Sequence, residues 1–128
     1  MAARSFVQLL GAADPGVVVL GISFVPNGTG AIATSAITGR GVASVAWSTN
    51  KYVVTLADVY PSLLSATVTL QLDNATAAGS DQYAVIGAVD LNAKTIEIVV
   101  RDVGTPGPTN LSNANKVHLC LVLKNSQV

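Results

Sequence analysis

The sequence predicts an all-β fold, a single-domain antiparallel β-sandwich or barrel of seven to eight strands. Three observations lead there. Val and Ile supply 25 of 128 residues, while Asp, Glu, Lys and Arg supply only 14, and β-branched side chains suit a pleated, half-buried surface. Several segments alternate between apolar and polar residues, with no stretch of helical period long enough to matter. Turn residues separate these segments throughout. A chain so poor in charge cannot coat itself with ions, so neutral and apolar groups must face outward.

Residues 1–16 read as an N-terminal arm or short strand, and 17–128 as the domain. Residues 17–25 are apolar at nearly every position, which implies cover on both faces. Pro26-Asn27-Gly28 ends that strand, and 31–38 is small and weakly patterned, a marginal strand at best. Gly39 and Gly41 flank Arg40. A strand over 42–47 then meets one over 52–56 through the hairpin connection Ser48-Thr49-Asn50-Lys51. Pro61 disfavours helical geometry at Tyr60, so 57–62 is an irregular crossing or one short helical turn.

Residues 66–72 alternate cleanly, with Ala66, Val68, Leu70 and Leu72 on one face and Thr67, Thr69 and Gln71 on the other. A small polar loop over 73–81 leads to a strand over 83–89 and a tight turn at 90–93. In 94–101, Ile96, Ile98 and Val100 point inward, and Glu97 and Arg101 outward. Residues 102–116, with Gly104-Thr105-Pro106-Gly107-Pro108, read as a long loop. Residues 117–124 close the domain, with Val117, Leu119, Leu121 and Leu123 on one face. Alternation assigns Val53, Val99, Cys120 and Val122 away from the main core, so either the second sheet extends over them or another subunit does.

Net charge is zero with no basic run, which argues against nucleic-acid binding. No apolar run approaches the ~18 residues of a membrane span. Gln8 and Asp14-Pro15 interrupt what a secretory leader would need. The lone Cys120 excludes an intrachain disulfide and a Cys-rich zinc site, and reads as a small buried hydrophobe. His118, the only histidine, reads as a structural or interface residue. It shares a strand face with Cys120, but side chains two apart start ~7 Å from each other, too far for a nucleophile–base pair without a bend. Asp73, Asp81, Asp90 and Asp102 lie in turns, where Asp is common for backbone reasons. Trp47 reads as a core residue rather than a sugar platform. No catalytic residue, cofactor or metal site is expected.

Residues 41–71, with the strands at 94–101 and 117–125, resemble small structural proteins of tailed-bacteriophage particles. The shared grammar is a Tyr-x-Val-x-Leu-x-Asp strand followed by an aromatic-Pro corner, here Tyr52, Val54, Leu56, Asp58 and Tyr60-Pro61. The resemblance implies a virion structural protein on the capsid surface, assembled in the host cytoplasm. It implies capsid decoration (cement) without catalysis, a homo-oligomer of trimeric type, and the major capsid protein as partner. The expected capsid or subunit contacts are Phe6, Val7, Leu9 and Leu10 of the arm, which could add a strand to a neighbour, together with Val53, Val99 and Val122. The alternative is a receptor- or carbohydrate-binding module of a phage tail or head fibre, using the loops at 73–81 and 102–116.

Overall fold

The computed structural model describes residues 16–28, 30–73, 82–103, 105–108, 111 and 115–125. Two antiparallel sheets pack as a sandwich. Seven long strands carry it: β1 (Val17–Phe24), β3 (Val42–Ser48), β4 (Lys51–Leu56), β5 (Ser62–Gln71), β6 (Gln82–Asp90), β7 (Thr95–Asp102) and β9 (Lys116–Lys124). Two short ones, β2 (Ile37–Thr38) and β8 (Thr105–Pro108), complete the set among the described residues. One sheet runs β2-β1-β9-β5 and the other β3-β4-β7-β6. β6 already occupies one side of β7 at Arg101 and Asp102, so β8 pairs with those residues on the other side, beyond the end of β4.

Local chemistry explains most elements. Thr49 and Asn50, at φ 52° and 67°, form the two-residue β3–β4 turn. Left-handed geometry at both central positions matches the twist of paired strands, and Asn tolerates it well. In the β6–β7 turn, Asp90 Oδ1 accepts from the backbone N–H of Asn92 and Ala93, both at 3.1 Å. Gly39, at φ 119°, passes so close to β1 that a Cβ there would collide with the Gly21 carbonyl oxygen. The segment 57–61 is irregular, as Pro61 requires, and carries the chain from one sheet to the other.

Inward faces match the alternation. Tyr52, Val54 and Leu56 on β4, Ile96, Ile98 and Val100 on β7, and Val117, Leu119, Leu121 and Leu123 on β9 are buried. Three rings meet along this core: Phe24 from one sheet lies tilted 5.3 Å from Tyr52 of the other, and Trp47 meets Tyr52 edge-on at 4.9 Å. Trp47 is therefore half-buried against the core, as expected of it.

Several expectations need correction. β1 has cover on one face only: Ile22 and Phe24 are buried, but Val19 is 41 % exposed, because no layer lies outside its sheet among the described residues. Likewise Val53, Val99 and Val122 are not covered by the second sheet; they sit half-exposed on outer faces. Cys120 is exposed rather than buried, since it holds the outward parity of β9. The marginal segment 31–38 yields a 3₁₀ turn at Thr34–Ala36 and the two-residue β2, with Ala31 bridging to Ala46. The long loop contains β8. β5 begins four residues earlier than its alternation shows, because a bulge between Leu63 and Ser65 breaks the pattern. The arm lies outside the described residues, as do positions 74–81.

Candidate functional site

The outer face of the β4–β7–β6 wall is built from the outward parity of three paired strands. Val53 lies opposite Glu97, Val85 opposite Val99, and Tyr83 opposite Arg101. Lys51 reaches Glu97 at 2.7 Å, a pair about a quarter to a third exposed. Such an ion pair contributes little stability, but it neutralises the two charges beside Val53, while Arg101 stands opposite Tyr83 at one end of the face. Tyr83 and Val85 are 45 % and 41 % exposed. The face is thus apolar with its central charges paired to each other.

The outer face of the other sheet divides into two halves. One end is apolar, with Val19 opposite Val122 and with Leu64 pushed out by the β5 bulge. The other end is polar: Ser23, His118 and Thr69 form one cross-strand row, and Gly21, Cys120 and Thr67 the next. Without a side chain at Gly21, these residues surround a shallow hollow of about 260 Å³.

His118 is held at both ring nitrogens. Nε2 lies 2.9 Å from Gln71 Oε1, and Nδ1 lies 2.7 Å from Ser23 Oγ. An amide oxygen only accepts, so Nε2 donates to it, and in the neutral ring Nδ1 accepts from the Ser23 hydroxyl. A hydroxyl donating to an imidazole is the geometry of an activated serine. Two further needs of that chemistry are unmet by the neighbours of this pair. The group orienting the ring is a neutral amide, where a carboxylate would stabilise an imidazolium. The amides that join β1 to β9 and β9 to β5 are engaged within the sheet, which withholds them as donors for an oxyanion. The network fixes the ring on the sheet surface.

A larger open cleft, about 580 Å³, lies at the end of the sandwich where 57–61 crosses. It is lined by Val59, Tyr60, Pro61, Leu91, Asp90 and Asn125 among others. Burial and, secondarily, Asp58 push the Tyr60 hydroxyl above its ordinary pKa. In the core, the Tyr52 hydroxyl accepts from the Leu111 N–H at 2.8 Å and so pins the connection before β9. Burial pushes its pKa up to about 12, against a smaller opposing effect of that hydrogen bond.

The expected contact residues do not form one surface. Val53 and Val99 share the outer face of one sheet, whereas Val122 lies on the outer face of the other, across the full thickness of the sandwich. Phe6, Val7, Leu9 and Leu10 lie outside the described residues. Ser23 and Gln71 as partners of His118 went unseen, since they become neighbours only through the order β1-β9-β5. Among the described residues no group of three or more His, Cys, Asp or Glu side chains could hold a metal ion. No helix among them is long and apolar enough to cross a membrane. Comparison with protein-family models, with curated proteins and with solved structures returns no match to this chain.

Proposed function

We propose that this chain is a non-enzymatic structural protein of a tailed-bacteriophage particle. In this reading it is a decoration or cement protein that binds between major capsid subunits and works as a homo-oligomer. The observation that carries the reading is the state of the two outer faces. Each presents valines and other apolar groups, Val53, Val85 and Val99 on one and Val19 and Val122 on the other, in a chain with seven charges of each sign. Faces of that kind are where subunits meet. Few ions need desolvating at such contacts, and repeated weak contacts gain strength from symmetry.

The residues of the phage resemblance take structural places in the fold. Tyr52, Val54 and Leu56 are the buried face of β4, and Asp58, Tyr60 and Pro61 belong to the crossing between sheets. They carry architecture rather than a binding surface. A carbohydrate- or receptor-binding role is the second reading. It draws on the open cleft, where Asp90, Asn92 and Asn125 stand beside Val59 and Leu91, since paired hydrogen-bonding and apolar groups are what a sugar ring needs.

The test is twofold. Light scattering on the purified chain measures self-association, and antibody to the chain probes intact particles purified from a lysate. An oligomer that co-purifies with heads supports the proposal. A monomer absent from particles refutes it, and glycan-array binding lost in Asn92→Ala moves the second reading to first place.

A further inference from the structure

The outer face of the β2-β1-β9-β5 sheet changes character along its strands. At the end where β1 begins, Val17, Val19, Val122 and Leu64 face outward, and Lys124 is the one charge there among the described residues. At the other end stand Ser23, His118, Thr69 and Gln71. Val19 and Leu64 are 41 % and 49 % exposed. Gly21 lies between the two halves, and a Cβ built on it would meet nothing within 4 Å, so the surface there has room for a side chain from above.

The apolar half is also where residues 1–15 join the domain. The Asn125 N–H donates to the Gly16 carbonyl at 2.6 Å, which fixes that junction beside the ends of β1 and β9. Upstream come Phe6, Val7, Leu9 and Leu10, and then Gly11-Ala12-Ala13-Asp14-Pro15-Gly16. Gly, Asp and Pro are residues of chain reversal. Six residues span up to about 20 Å. A layer resting on the sheet sits about 10 Å above it, and Gly21 lies about 13 Å along the strand from Val17. The tether therefore brings Leu10 to any point of the apolar half. A separate molecule loses translational and rotational freedom on docking, whereas a tethered segment has already lost most of it.

We infer that residues 6–10 fold back over the apolar half of their own chain's sheet. Leu9 and Leu10 rest on Val19, Val122 and Leu64, and Phe6 lies over Gly21 beside Cys120, which removes apolar surface of both partners from water. The row of Ser23, His118 and Thr69 stays open. With the arm seated, the face of Val53, Val85 and Val99 is the apolar surface left for other subunits. The inference thus goes beyond the proposed function and does not depend on it.

Cys120, the only thiol of the chain, is the reporter. A bulky maleimide labels it at a rate set by how often the arm lifts. Leu9→Ser/Leu10→Ser, which leaves every described residue unchanged, is expected to label about ten-fold faster than wild type. Val19→Ser is expected to show the same gain from the other side of the contact, and Val53→Ser, on the opposite sheet, none. The wild-type rate should not depend on protein concentration. Equal rates in wild type and Leu9→Ser/Leu10→Ser overturn the inference, and so does a gain in that variant without one in Val19→Ser. Shielding that fades on dilution overturns it too, because the cover would then come from another chain. Binding to particles is read separately, so either idea can fail while the other stands.

Discussion

Strand β7 and strand β5 have nearly the same apolar period. In β7, Ile96, Ile98 and Val100 alternate with Thr95, Glu97 and Val99; in β5, Ala66, Val68 and Leu70 alternate with Thr67, Thr69 and Gln71. The first trio is 0 % exposed, and the second is half-buried. Alternation determines which way a side chain points. How much covers it depends on the strand's place: β7 is flanked by β4 and β6, whereas β5 ends its sheet. An interior strand is sealed by neighbours on both sides, and an edge strand by a neighbour on one side only.

Substitutions can sharpen or break this contrast. The largest effect is expected from Ile98→Ala, which removes a fully enclosed side chain and should cost about 2–5 kcal/mol in urea unfolding. Val68→Ala should cost below about 1.5 kcal/mol. Equal costs at both sites would erase the distinction.

Tyr52→Phe comes next. It deprives the Leu111 N–H of its acceptor and should cost about 1–3 kcal/mol. The variant also separates core from surface by pH. In the folded chain Tyr52 ionises only near pH 12, while in the unfolded chain it ionises near 10. The unfolded state therefore releases this proton first. The contribution of this hydroxyl is fully present below pH 10, and about 2–3 kcal/mol of it is lost as pH rises towards 12. Alkaline unfolding should be shallower in Tyr52→Phe than in wild type, and identical slopes would detach that residue from the effect.

Ser23→Ala gives the smallest change. Its hydrogen bond to His118 lies on the outer face, so the loss should stay within about 1 kcal/mol. A larger loss would mean that the polar row of β1, β9 and β5 is buried under a partner, making that sheet face an interface.

Much of the fold was legible. Seven long strands, the Thr49-Asn50 turn, the irregular Tyr60-Pro61 crossing and the inward faces of β4, β7 and β9 follow from period and turn chemistry, which act between residues close in sequence. The candidate surfaces were less legible. Val53, Val99 and Val122 were correctly assigned outward, yet parity cannot say that two sit on one face and the third on the opposite one. Cys120 shows the same limit: its outward parity was readable, but its exposure depended on whether anything lay above it.

Local sequence by itself set the all-β class, the strand phases and the apolar bias of the outside, because side-chain direction and turn geometry are decided within a few residues. Only the tertiary structure decided the order β2-β1-β9-β5 against β3-β4-β7-β6. With it came the Ser23–His118–Gln71 contact and the half-buried inward face of β5. Those features join residues up to 95 positions apart, and their meeting depends on how whole strands share one core, a global packing outcome that no local pattern encodes.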